Sequence, residues 1–268
     1  MSDLLKRNMA PLGSQAWNEI DEQARKTLRG NLSARKLVDF EGPSGWTLAA
    51  VNLGRVSLDL ADKPVQGVRW GLRQAQPLLE ARVDFTLSME ELEHLERGVR
   101  NPDLAPLETA CRQMARFEET AIYHGIEGAG INGIIPSSPH PAIDFPPLPD
   151  GFMEGVESAI LNLQQEGIGG PYHLVLGTQA YQLLQQGDQR GYPLNQRVSG
   201  LLEGSIAWSP AIEGGLLLSG RGGDFHLTVG QDLSIGYKSD QREMVHLFIT
   251  ESFTFQVLEP AAAVVLKT

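Results

Sequence analysis

Val51-Asn-Leu-Gly-Arg-Val-Ser-Leu-Asp-Leu60, Lys63-Pro-Val-Gln-Gly67 and Val68-Arg-Trp-Gly-Leu72 form the stretch on which the fold turns. From Thr47 to Leu87 apolar and polar residues alternate: Val51 and Leu53, then Val56, Leu58 and Leu60, and beyond the Pro-Gly turn Val68, Trp70 and Leu72. A period of two broken by a turn predicts a long β-hairpin. Two strands alone are marginal in water, so such an arm needs a surface, on this chain or on a neighbouring subunit.

Upstream of the arm, Trp17, Ile20, Ala24 and Leu28 recur at helical spacing, predicting an amphipathic helix over 14–29 with Ser14 as its N-cap. Downstream, Ser88-Met-Glu-Glu91 reads as a capping box for a short helix that stops at Gly98. Leu104, Leu107, Cys111, Met114, Phe117 and Ala121 then mark a longer helix over 104–124. The prolines from Pro136 to Pro141 and from Pro146 to Pro149 exclude helix and central strand and mark a boundary. Beyond it an α/β module is expected: a helix near 151–166, a strand at 172–176, a helix near 178–186, a loop over 187–192 and a helix entered by Pro193. After residue 204 apolar runs at 216–219, 225–229, 233–237, 244–249 and 253–258 predict strands, so the fold class is α+β.

The chain has 268 residues, 41% apolar and 21% charged, which is ordinary globular usage. Its net charge of −11, without a Lys/Arg cluster, provides no basic footprint for nucleic acid. Met1 to Met9 carries charges instead of the apolar run of a signal peptide, and no apolar stretch is long enough to span a bilayer. The single cysteine, Cys111, has no intrachain partner and, on a helix, reads as a packing residue in a reducing cytoplasm. No membrane or nucleic-acid partner is expected.

Motifs for catalysis are missing. The six histidines are scattered without metal-site spacing, and there is no GxSxG, Walker or Rossmann signature. Adjacent helical residues point about 100° apart, so Glu118-Glu119 reads as a solvated face rather than a convergent acid/base pair. Arg221-Gly-Gly-Asp-Phe225 reads as a tight turn between strands. No metal ligand and no catalytic residue is assigned.

Several stretches together resemble the encapsulin shell proteins (family 1, linocin-like), which share the HK97-type fold of tailed-phage major capsid proteins. They are Leu4-Leu-Lys-Arg7 with Ala10-Pro-Leu12 and Trp17, Gly42-Pro43 with Gly45-Trp46, Phe85-Thr-Leu87 with Leu95-Glu-Arg-Gly98, and Gly169-Gly-Pro-Tyr172. Gly191-Tyr-Pro-Leu194, Arg221 to Phe225, Gly230 to Tyr237 and Thr250 to Phe255 continue the series in family order. The resemblance implies an HK97 capsid-like fold: a discontinuous peripheral domain (1–48, 77–136 and 227–268), an extended loop (49–76) reaching a neighbour, and an axial domain (137–226).

It further implies a cytoplasmic, non-enzymatic subunit of a closed nanocompartment of the simplest icosahedral kind, with 60 subunits. Such shells enclose ferritin-like iron oxidases or dye-decolourising peroxidases through a C-terminal targeting peptide. The peptide would dock between the first helix and the peripheral strands, at Leu32, Arg35, Asp39, Asp232 and Ile235. The loop Gly187, Asp188, Gln189, Arg190, Gly191 and Tyr192 would ring a five-fold pore. Some relatives carry a tryptophan after Phe-Thr-Leu where flavin is associated with the shell; Glu90 stands there, which argues against flavin, and no other cofactor is implied. A phage major capsid protein shares the fold and remains an alternative, as does, from another class, a soluble hydrolase.

Overall fold

The computed structural model describes residues 3–58, 65–145, 149–185 and 193–267. In the amino-terminal half, α1 (Ser14–Asn31) leads through a 3-10 turn (Ala34–Lys36) to β1 (Asp39–Glu41). The hairpin is β2 (Ala50–Ser57) with β3 (Leu72–Pro77), followed by β4 (Leu79–Ser88), α2 (Met89–Glu96) and α3 (Ala105–Tyr123). Short elements β5 (Gly125–Ile126), β6 (Ile131–Asn132), α4 (Ile134–Ser137) and β7 (Ile143–Asp144) precede α5 (Pro149–Gln165), β8 (Tyr172–Leu176) and α6 (Thr178–Gln185). The rest is α7 (Leu194–Leu202), β9 (Glu203–Trp208), β10 (Gly215–Ser219), β11 (Phe225–Val229), β12 (Ser234–Gln241), β13 (Met244–Val257) and β14 (Ala263–Lys267).

The expected hairpin is present, its antiparallel ladder running from Ala50 opposite Pro77 to Ser57 opposite Leu72 with an irregularity between Asn52 and Val56. β2 and β3 pair only with each other among the described residues. Leu58, Leu72 and Val56 are 69%, 59% and 52% exposed, so the alternation is real but its apolar side is uncovered in the single subunit. Lys63 and Leu60, at the expected turn, lie outside the described residues.

One five-stranded sheet orders β1, β11, β13 and β12, with β4 on the other edge of β13. The separate runs expected at 244–249 and 253–258 are one fourteen-residue strand. The polar triplet Thr250, Glu251 and Ser252 interrupts the apolar pattern, yet all three are buried with partners: Thr250 Oγ1 donates to the Ala81 carbonyl at 3.0 Å, Ser252 Oγ accepts the Gln231 N–H at 2.8 Å, and Glu251 meets Arg35. Val245, Leu247 and Ile249 pack one face of this sheet against Ile20 and Ala24 of α1 and Met114 of α3. The other five-stranded sheet orders β7, β14, β10, β8 and β9 and packs against α5. Ala263–Lys267 joins β10 and β7 rather than the sheet built on β13.

Two local expectations are corrected. Pro136 and Pro149 do occur in helices, α4 and α5, but within the first turn, where a missing N–H costs nothing. Neither Ser14 nor Ser88 caps through its side chain. Glu96, at the end of α2, caps α1 instead: its Oε1 accepts the Ala16 N–H at 3.2 Å, while Gln15 Nε2 donates to the Leu95 carbonyl at 2.8 Å. Gly13 makes room for this, since a Cβ there would sit 2.3 Å from Glu96 Oε1. Replacing Glu96→Ala is expected to cost about 1 kcal/mol, as loss of an N-cap does, while Ser14→Ala stays within about 0.5 kcal/mol. Chemical unfolding of both variants checks this ranking.

Candidate functional site

Where α1 ends, the chain turns inward. Leu32, Ser33 and Ala34 are buried, and the 3-10 turn directs Arg35 between α3 and β13. Its guanidinium donates from Nε to both Glu118 oxygens at 2.8 and 2.9 Å, from Nη2 to Glu118 Oε2 at 2.5 Å and from Nη1 to Asp232 Oδ1 at 2.8 Å. Nη2 also donates to Glu251. Glu118 and Glu251 are fully buried.

Glu119 faces another way. It accepts the N–H groups of Ser33 and Ala34 at 2.8 and 2.7 Å and the hydroxyl of Ser209 at 2.7 Å, and Ser33 Oγ meets Tyr123 at 2.7 Å. The Glu118-Glu119 pair is thus not a solvated face. The divergence of adjacent helical side chains holds, and each carboxylate serves a different buried partner set.

Three carboxylates around one cation cannot all ionise cheaply in a dry site. Burial, and then the charge of Glu118, hold Glu251 well above the usual carboxylate range. Burial also raises Glu119, against the hydrogen bonds it accepts. At Cys111 burial pushes the thiol up to about 12, which suits packing and not reactivity.

Beside this cluster a groove of about 200 Å³ opens between α1 and β12, with Ala24, Leu28, Leu233, Ile235 and Ile249 among its lining. Arg7 closes one side, paired with Asp21 at 2.8 Å and lying over the Trp17 ring at 3.9 Å. Of the five residues expected at a docking site, Ile235 lines this groove, Arg35 and Asp232 pair with each other, and Leu32 is buried at the end of α1. Asp39 is turned elsewhere: its carboxylate accepts the Gly223 N–H at 2.5 Å. It braces the Arg221–Asp224 turn, in which Gly222 and Gly223 take φ of 80° and 82° and Arg221 pairs with Asp224 at 2.7 Å.

Sequence reading missed Glu118 and Glu251 as partners of Arg35, although the polar triplet inside an apolar strand was a visible signal. Gly187, Asp188, Gln189, Arg190, Gly191 and Tyr192 lie outside the described residues. Glu90 is exposed on the first turn of α2. Among the described residues no group of His, Cys, Asp and Glu could hold a metal, and no helix is long and apolar enough to cross a membrane.

The architecture has solved counterparts. It aligns with a virus-like particle from Pyrococcus furiosus at a TM-score of 0.64, 17% identity and coverage of 94% of this chain and 99% of the other. It also aligns with the capsid of Myoviridae phage XM1 at a TM-score of 0.54, 10% identity and coverage of 87% and 90%. These place it among the HK97-like capsid folds. Residues 1–254 match the family described as encapsulating protein for peroxidase. The chain is 44% identical to the type 1 encapsulin shell protein of Rhodospirillum rubrum, covering 100% of this chain and 97% of that protein, and 36% identical to the one from Mycobacterium tuberculosis, covering 98% of both. The chain belongs to the encapsulin shell family, whose members are structural subunits that assemble into a shell.

The charge cluster makes a testable statement. Glu251 holds its proton more tightly folded than unfolded, where its pKa is near 4.5. Its share of stability is therefore full below that pH and is lost as pH rises toward the folded value. Glu251→Gln should flatten the fall of Tm across the neutral and alkaline range, whereas Arg35→Leu, which leaves two buried carboxylates unpaired, should cost about 3–5 kcal/mol. Calorimetric scans at a series of pH values read both.

Proposed function

We propose that this subunit builds a closed cytoplasmic compartment of 60 copies that encloses a ferritin-like iron-storage protein or a dye-decolourising peroxidase, held by a C-terminal targeting peptide, with the shell itself carrying no catalytic site. The observation that carries the assembly is the hairpin. Among the described residues its two strands have no third partner, and its apolar side is exposed, a state that favours burial against a second copy of the chain. Full-length similarity to encapsulin shell proteins supports the cargo-enclosing role over that of a phage capsid.

Cargo capture is assigned to the groove between α1 and β12, where apolar anchors supply affinity and the flanking charges orient the peptide. Arg35 and Asp232 support that groove from below, holding α1, α3 and β13 at fixed spacing. The loop 187–192 is assigned to a five-fold pore for small solutes, where symmetry would multiply Asp188 and Arg190 into charged rings.

Expression of the chain alone, followed by electron microscopy, is expected to give uniform closed particles. Deletion of residues 55–69 is expected to leave folded, soluble subunits with native circular dichroism and no particles. Co-expression with a ferritin-like protein or peroxidase from a neighbouring gene should load the wild-type shells, and loading should be lost when that protein lacks its C-terminal segment. Intact particles from the deletion would remove the arm from assembly, and loading without the C-terminal segment would remove the peptide from capture.

A further inference from the structure

The second sheet ends on β9, which among the described residues pairs only with β8, in parallel. Its ladder skips: Tyr172 stands opposite Glu203, but the next pair is Leu174 opposite Ile206. Gly204 and Ser205 therefore both face the single residue His173, which makes a β-bulge at the corner where α7 passes into β9. A bulge leaves a backbone N–H without a ladder partner. Here a side chain supplies the acceptor, since the Ser205 N–H donates to His173 Nδ1 at 3.0 Å. The proton of the neutral ring then sits on Nε2.

The surroundings are shaped to this ring. A Cβ on Gly204 would lie 2.9 Å from Nδ1 and one on Gly220 would lie 2.6 Å from Nε2, so glycines flank the imidazole from β9 and from the end of β10. The corner has an unfavourable backbone, because Glu203 takes φ of 54°, in the left-handed region that residues with a Cβ avoid. Beyond the bulge, pairing resumes from Leu174–Ile206 to Leu176–Trp208, so loss of the ring bond frees the corner and leaves the strand attached.

Charged groups approach from several sides, and none of them forms an ion pair with the ring among the described residues. Glu203 heads β9, Arg197 is the charged residue of α7, and on the turn after β10 Arg221 and Asp224 pair with each other at 2.7 Å. Lys36 and Asp39 line, with His173, a cavity of about 180 Å³. They are engaged with backbone, Lys36 donating to the Arg29 carbonyl at 3.2 Å and Asp39 accepting the Gly223 N–H. Burial holds the ring below its ordinary pKa of 6.5.

We propose that His173 is an acid-operated catch: the neutral ring closes the bulge and holds the α7–β9 corner, and a proton taken from solvent onto Nδ1 turns the acceptor into a second donor and releases it. Loss of that proton restores the bond, so the catch is reversible. Folding favours the neutral ring, so its contribution is full above 6.5 and is lost as pH falls from there through the folded value. The catch thus opens in mild acid, before exposed carboxylates lose their charge.

Hydrogen exchange on the purified full-length chain reads both ends of the device. Backbone exchange, corrected for its intrinsic pH dependence, reports Ser205, and exchange of the His173 ring C2–H reports the titration of the ring itself. Between about pH 7.5 and about pH 5, Ser205 protection is expected to fall at least about tenfold, while that of Leu217 on the inner strand β10 is unchanged. The fall should share its midpoint with the ring, below 6.5. In His173→Asn, whose amide oxygen replaces Nδ1 and does not titrate, Ser205 protection should stay within about threefold across the same range. Unchanged protection in the wild type overturns the catch, and so does an equal loss in the Asn variant. Where that variant does not fold, the two midpoints in the wild type decide, and separate midpoints overturn it.

Discussion

The guanidinium of Arg35 ties together elements that also share one hydrophobic cluster, and it fixes their directions. It lies just beyond α1, on the turn that follows it, and meets α3 through Glu118, β13 through Glu251 and the approach to β12 through Asp232. α1 and β12 form the groove, and β13 is the strand on which the first sheet is built. Burying such a cluster is not a cheap route to stability, because desolvation of the ions offsets most of their attraction. What it provides is geometry. A guanidinium with three partners in fixed directions sets the spacing of helix and sheet more tightly than aliphatic packing, which tolerates sliding.

A division of labour follows. The first sheet, with α1 and α3 on one face, supplies a rigid body with a groove at its edge. The second sheet packs against α5. Between them runs the bracing of Asp39 against Gly223, where a carboxylate from β1 fixes a turn whose two glycines take backbone angles closed to other residues. Stiffness at this junction matters for a shell, since small changes of angle between two halves of a subunit change the curvature of the whole assembly.

Much of this was legible in the chain itself. The strand at 172–176, the long helix ending near Tyr123 and the hairpin all follow from periodicity, because each buries or presents one face at its own period. The HK97-type fold came from motif resemblance rather than from periodicity. What stayed hidden depended on partners distant in sequence. The single strand over 244–257 looked like two because Thr250, Glu251 and Ser252 are polar, and the partners that accompany them in the interior, Ala81, Arg35 and Gln231, lie elsewhere in the chain. Glu118 and Glu119 looked solvated because the sequence does not reveal that Arg35 and the Ser33–Ala34 amides converge on them from more than 80 residues away. Of the residues expected at a docking site, Arg35 and Asp232 form an ion pair, whereas Asp39, only four residues from Arg35, serves another junction.

The place of β14 in the second sheet bears on the order of events in the cell. Ala263–Lys267 lies between β7 and β10, so β10 keeps an open edge and β7 has no ladder partner until those residues are made. The sheet therefore closes only after synthesis has passed residue 263, long after α1 has been made. Chains truncated before β14 lack an inner strand, and β10 and β7 are then left with unpaired edges.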